Sequence, residues 1–224
     1  MDKVSENPFK NRKDNQNSAL MVVTALFVTL YLVSNIMAVK VTSFFNLSLF
    51  DAGTITFPFA YMLGDVLTEV WGYRTARKVI WLTLLCNILL VICTQVGVWM
   101  PSSKESAEIA TAYNTVFNYV PRIVLASLTG FLFGELLNAS LMEKIKLKTN
   151  GRHLWVRTIG SSAVAHIVDS VAFVLIAFAG TVSSDTLIQM ILFQYFSKLS
   201  IEAIFGTPMA YAAVYNIKQY IRRR

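Results

Sequence analysis

The stretch TFPFAYMLGDVLTEVWGYRTARK, residues 56–78, decides how this chain is read. It places Asp65 and Glu69 inside an apolar run and closes on Trp71, Tyr73 and the cations Arg74, Arg77 and Lys78. Aromatic residues followed by basic ones mark the edge of a membrane-spanning helix. A carboxylate at membrane depth costs at least about 2.5–3.5 kcal/mol, so Asp65 must face protein, a partner or water rather than lipid. Tyr61, Asp65 and Glu69 recur every fourth residue and share one helical face. Such a face suits polar cargo chemistry.

Working outward, the composition agrees with a membrane setting. Of 224 residues, 55% are hydrophobic and only 15% charged, where a soluble domain carries about 25%. The expected fold class is all-α integral membrane, with six transmembrane helices over about 19–39, 53–71, 79–100, 123–142, 158–180 and 187–217, each long enough to cross. The second span is entered through Pro58, which fixes φ and removes a donor, so a start or kink is expected there. The last exceeds a perpendicular crossing and holds Lys198, Glu202, Gly206 and Pro208, so tilt or a kink is expected. Between spans, residues 101–120 form the longest outer connection and suggest an amphipathic surface helix. The domain division is a polar cytoplasmic tail over 1–18, expected to be disordered and not a cleaved signal, the transmembrane domain over 19–217, and a basic cytoplasmic C-terminus over 218–224. With both termini inside, sixteen of the twenty Lys and Arg fall on inner segments, the bias that sets orientation. The net charge of +7 is thereby an insertion signal, and no nucleic-acid partner is expected. Cys86 and Cys93 lie on one helix, roughly 10 Å apart, too far to join as a disulfide.

The polar residues left inside the spans carry the chemistry. Asp65 and Glu135 fall roughly 10 Å above the inner boundary and Asp169 and Lys198 near the midplane, counted at about 1.5 Å per residue. Lys198 is the one cation well inside the membrane, against the anions Asp65, Glu135, Asp169 and Glu202. Its simplest partner is Asp169, in a cargo site or in a pair that only locks two helices. Glu69 is expected near the headgroups beside Arg74 or Arg77, and Arg122 at the outer edge of helix four. Tyr61, Phe57 and Trp81 are aromatics for stacking a planar ligand or for the interfacial belt. Asn35, Asn87, Gln95, Gln189 and Gln194 are amides for bridging helices or touching cargo. Ser162, His166 and Asp169 have hydrolase residue types, but side chains from one straight helix diverge, so catalysis is set aside. His166 and Asp169 lack further ligands at a metal-binding spacing, and no metal or other cofactor is expected.

The segments SNIMAVK (34–40), FPFAYMLGDVLTEVWGYRTARK (57–78), RTIGSSAVAHIVDSVAFVLIAFAG (157–180) and YFSKLSIEAIFGTPMAY (195–211) resemble the queuosine precursor transporter family, also called the VUT family. The likeness runs over residues 20–217, and D-x-x-x-E-x-x-G-x-x-x-A-R from Asp65 to Arg77 is its most specific part. The resemblance implies a bacterial inner-membrane or archaeal importer of prequeuosine bases, the cyano- and aminomethyl-substituted 7-deazaguanines used in tRNA modification. It carries Asn35, Pro58, Asp65, Glu69, Gly72, Arg77, Arg122, Asp169, Lys198 and Pro208 as motif residues. Ala165-His166 departs from the glycine and Gln or Asn expected there. The substrate-binding set is then Asn35, Tyr61, Asp65, Glu69, Trp81, Arg122, Glu135, His166, Asp169 and Lys198, with a deazaguanine base as cargo, the lipid bilayer as surroundings, and self-association into a homodimer left open. The substrate-capture subunit of an energy-coupling-factor vitamin importer and an intramembrane hydrolase are the rival readings.

Overall fold

The computed structural model describes residues 8–44, 47–180 and 183–222. Its helices are α1 (Pro8–Met37), α2 (Phe57–Trp71), α3 (Tyr73–Trp99), α4 (Ala107–Lys148), α5 (Leu154–Phe178), α6 (Ser184–Ile201) and α7 (Thr207–Arg222). A short antiparallel hairpin, β1 (Val41–Phe44) and β2 (Leu47–Asp51), interrupts an otherwise helical chain. Among the described residues four helices are long and apolar enough to cross a bilayer: α1 from Lys13, α3, α4 and α5.

Three expectations need correction. Residues 8–18, expected to be disordered, form the polar first turns of α1, with Pro8 at the start where a missing N–H costs nothing; residues 1–7 of that tail and 223–224 of the basic C-terminus lie outside the described residues. The amphipathic surface helix expected over 101–120 is instead the beginning of α4, a helix of 42 residues, about 63 Å long. Gln95 donates to the Phe117 carbonyl at 2.7 Å and the Tyr113 hydroxyl to the Thr94 carbonyl at 3.2 Å, so this extension packs on the end of α3. The second span, expected as one helix from residue 53, is a 3₁₀ turn (Ala52–Ile55) followed by the 15 residues of α2, about 22 Å long.

That shortness has a visible cause. Pro58 sits in the first turn of α2, so the helix cannot extend backward through it, and the preceding chain must satisfy its polar groups some other way. Asp51 accepts from the Thr54 amide at 3.0 Å and from the Gln194 side chain of α6 at 3.1 Å, pinning the base of the hairpin against the middle of α6. At the other end Gly72 takes φ 81°, a value open to glycine, and turns the chain into α3. Twelve of the fifteen α2 residues are buried, making it the central element.

The expected kink in the last stretch is a π segment, Glu202–Gly206, between α6 and α7. Pro208 follows in the first turn of α7, and the wider π register accommodates its missing N–H while turning Glu202 into the core.

Sorting of side chains follows the solvent. Leu85, Leu89 and Ile92 on α3 and Leu125 and Phe133 on α4 are exposed, whereas Asp65, Asn87, Glu135, Asn138, Asp169 and Glu202 are buried. An apolar exterior around a polar centre is what hydrocarbon surroundings select. An aromatic cluster of Phe27, Tyr31, Tyr61 and Phe131 packs beside that centre, with Tyr31 and Phe131 rings 3.8 Å apart.

Close approach of α4 and α5 depends on Gly130 and Gly134, four residues apart on one face. A methyl group on Gly130 would lie 2.8 Å from the Asp169 backbone oxygen, and one on Gly134 3.1 Å from Asp169 Cβ. Gly130→Ala is therefore expected to destabilise the purified protein by about 1–3 kcal/mol, despite alanine's better helix propensity. Gly160→Ala, whose added methyl meets only Ile145 at 3.7 Å, is the control and should be neutral or stabilising. Thermal unfolding in detergent, compared between the two variants, checks this.

Candidate site: a buried polar cluster with unpartnered oxygens

Side chains from five elements meet in the core. Asp65 on α2 accepts a 2.9 Å bond at Oδ1 from the Asn138 amide of α4, and its Oδ2 has no partner. Asn138 Oδ1 is 3.4 Å from Ser162 Oγ on α5. Ser162 in turn donates to Oε1 of Glu202 on the π segment, and His166 Nε2 lies 2.7 Å from Oε2 of the same carboxylate. The His166 ring meets the Tyr61 ring edge-on at 4.5 Å. One connected network thus joins α2, α4, α5 and the π segment.

A second pair completes it. Lys198 Nζ on α6 donates to Asp169 Oδ2 on α5 at 2.7 Å and stands 5.4 Å from the centre of the Phe57 ring at the start of α2. Asp169 lies against Gly130 and Gly134, the second of which precedes Glu135 in the chain. Glu135 is fully buried, presses on Gly64 of α2, and is within electrostatic reach of Asp65, Glu202 and Asp169. Neither of its carboxyl oxygens is hydrogen-bonded, nor are Tyr61 Oη and His166 Nδ1. Buried polar atoms without partners are costly, and several within one cluster mark a place where a bound polar molecule would be stabilising.

Other candidates fall elsewhere. Asn35 is buried but bonded to Asn87: its Nδ2 donates to Asn87 Oδ1 at 2.6 Å, while Asn87 Nδ2 donates to the Thr83 carbonyl. That chain of donors orients Asn35 so that its unpartnered atom is Oδ1, an acceptor. Glu69 does not pair with Arg74 or Arg77. It gathers Lys146 of α4, Arg157 of α5 and Lys218 of α7, each at 3.1 Å, into an ionic knot below the cluster. Arg122 is exposed and donates to the carbonyls of Ile176 and Ala179, tying α4 to the end of α5. Trp81 is 51% exposed on the outer face of α3. The structure does not bring these last two residues into the cluster.

Asn138, Ser162 and Glu202 belong to the cluster, and Arg157 to the knot below it, although sequence reasoning left all four outside the binding set. The spacing Glu135-Asn138 and Lys198-Glu202, one helical turn each, was the available signal. Ser162 and His166 both bond Glu202 and not each other, so the serine–histidine pair that the hydrolase reading requires is not formed. Among the described residues no group of His, Cys, Asp and Glu could hold a metal ion.

The family described as "Putative vitamin uptake transporter" matches residues 51–213, a range that takes in every carboxylate of the cluster. This chain belongs to that family. Membership makes it a multi-pass membrane transporter and not an enzyme. The chain is 31% identical over 80% of its length to the "Probable queuosine precursor transporter" of Bacillus subtilis (strain 168), of which it covers 78%. It is 29% identical to the protein of the same name from Haemophilus influenzae, over 74% of this chain and 68% of that one. With the "Queuosine precursor transporter" of Escherichia coli (strain K12) it shares 24% identity, over 74% and 72%. No solved structure matches the chain.

Proposed function

We propose that this protein imports queuosine precursors, 7-cyano-7-deazaguanine and 7-aminomethyl-7-deazaguanine, across the bacterial inner membrane for tRNA modification. The observation that carries the reading is Asp65, a buried carboxylate with one oxygen held by Asn138 and the other unpartnered. A deazaguanine presents a ring N–H and an exocyclic amine side by side, and a carboxylate oriented by Asn138 accepts that fork. Lys198 spends one of three donors on Asp169 and keeps two for the base carbonyl. Tyr61 and His166 supply ring surfaces. The three relatives' names support the cargo class.

Orientation follows from the positive ends. Asn15 donates to the Tyr220 carbonyl at 3.3 Å, so the beginning of α1 and the end of α7 share one end of the molecule, along with the basic knot around Glu69. On the positive-inside rule that end is cytoplasmic. The cluster is closed to solvent, so loading requires the helices around α2 to move, and Pro58 and the π segment are the places where backbone bonding is already broken.

The test is accumulation of labelled deazaguanine in cells unable to make it, with and without this chain, followed by exchange in liposomes holding the purified protein alone. Accumulation that depends on the chain, and exchange without an added ATPase, are the expected results. Equal accumulation in both strains overturns the reading.

A further inference from the structure

Four carboxyl groups share the core, those of Asp65, Glu135, Asp169 and Glu202, and each is at most 5% exposed. Among the described residues one side-chain cation, Lys198, stands within hydrogen-bond reach of any of them. His166, on Glu202, is the other titratable partner.

The donors are unequally shared. Asp169 has the Lys198 ammonium, Asp65 has the Asn138 amide, and Glu202 has the Ser162 hydroxyl and His166. Glu135 makes no hydrogen bond at either oxygen, although it is completely enclosed. Most of what faces it is unhelpful to a negative charge. From α2 come Gly64 and the carboxyl of Asp65, from the π segment Glu202, from α5 Asp169, from α1 the Phe27 ring beside Gly64 and the Tyr31 phenol, and the nearest side-chain donor is Asn138 of its own helix, one of whose two amide hydrogens is already on Asp65. The neighbouring Tyr61 hydroxyl and His166 Nδ1 are also buried without partners, so the void of hydrogen bonding extends beyond one side chain.

We propose that Glu135 is the proton-binding site of a proton-coupled carrier, holding one proton on its carboxyl group in the closed state and releasing it to the inner side as cargo is delivered. The reasoning is one of charge: an ionised carboxylate with no counter-charge and no hydrogen bond at either oxygen, near three other carboxyl groups and excluded from water, is unstable, and a proton removes the charge. The proton enters from outer water onto a Glu135 oxygen and leaves to inner water, with no other bond made or broken. Its binding neutralises one of four acids in the pocket, so that the Asp65 carboxylate meets the cargo with one fewer negative charge nearby. Release of the proton restores repulsion between Glu135 and Asp65, which favours opening. This inference rests on the transport reading above.

Two measurements test it separately from that reading. Infrared spectra of the purified protein at neutral pH, recorded without cargo, should contain the carbonyl stretch of a protonated carboxylic acid, and Glu135→Gln should remove it. In liposomes, a gradient one pH unit more alkaline inside should raise internal labelled 7-cyano-7-deazaguanine about tenfold above the external level for one proton per base. Glu135→Gln should abolish that accumulation, and whatever exchange the variant retains should no longer respond to the pH gradient. The proposal is overturned if the wild-type protein has no such band, if Glu135→Gln retains the whole of it, or if wild-type liposomes exchange base but never concentrate it. If the band behaves as expected and wild-type liposomes exchange no deazaguanine, the cargo assignment falls and the proton site stands. Should the variant not fold, the wild-type band and the wild-type accumulation ratio decide the matter alone.

Discussion

Asp65→Asn is expected to cut accumulation of labelled deazaguanine by at least about 100-fold, to near that of cells lacking the protein, while leaving the amount in the membrane unchanged. Asparagine has nearly the same shape, and its carbonyl can still accept the 2.9 Å bond from Asn138, so the packing around α2 survives. What changes is the edge offered to cargo. A charge-assisted bond contributes about 1.5–3 kcal/mol, and a fork uses two. In the variant one arm becomes an NH₂ donor facing a donor on the base, which converts attraction into an unsatisfied contact. Uptake and membrane content measured on the same cells check the claim. Normal uptake by Asp65→Asn would remove this residue from the site.

The second large effect concerns Lys198 and Asp169. Lys198→Met should destabilise the protein by about 3–5 kcal/mol, because it strands a buried Asp169 that now has no counter-charge. Adding Asp169→Asn removes that stranded charge, so the double variant should recover most of the loss in a detergent unfolding experiment. Recovery of folding need not mean recovery of transport. If the pair only fastens α5 to α6, the double variant should take up cargo normally. If Lys198 donates to the base carbonyl as proposed, the double variant should be stable and inactive. The two readouts therefore separate a helix lock from a binding contact.

How much of this was legible beforehand varies from residue to residue. The pairing of Lys198 with Asp169 followed from counting ions at similar depth, since a lone ammonium among carboxyl groups has few places to go. Asp65 stood out for its cost in an apolar run. Glu69 was placed at the right end of the helix but with the wrong partners: Arg74 and Arg77 are near in sequence, whereas Lys146, Arg157 and Lys218 arrive from three other helices. Trp81 is aromatic and close to α2 in sequence, yet helical rotation turns it outward. Arg122 reads as a site residue by motif and is bonded to the carbonyl end of α5.

Sequence alone determined the solvent and the list of ions. Apolar runs, basic flanks and the price of a carboxylate in hydrocarbon depend on residue type and spacing, which are local. Tertiary structure decided who meets whom. That Asn138 orients Asp65, that Ser162 and His166 both serve Glu202, and that Glu135 is left with nothing are consequences of helix rotation and of the π segment's extra residue, each of which shifts a side chain by a fraction of a turn. A hydrogen bond tolerates a few tenths of an ångström, far less than such a shift, so its partners are settled only when the helices pack.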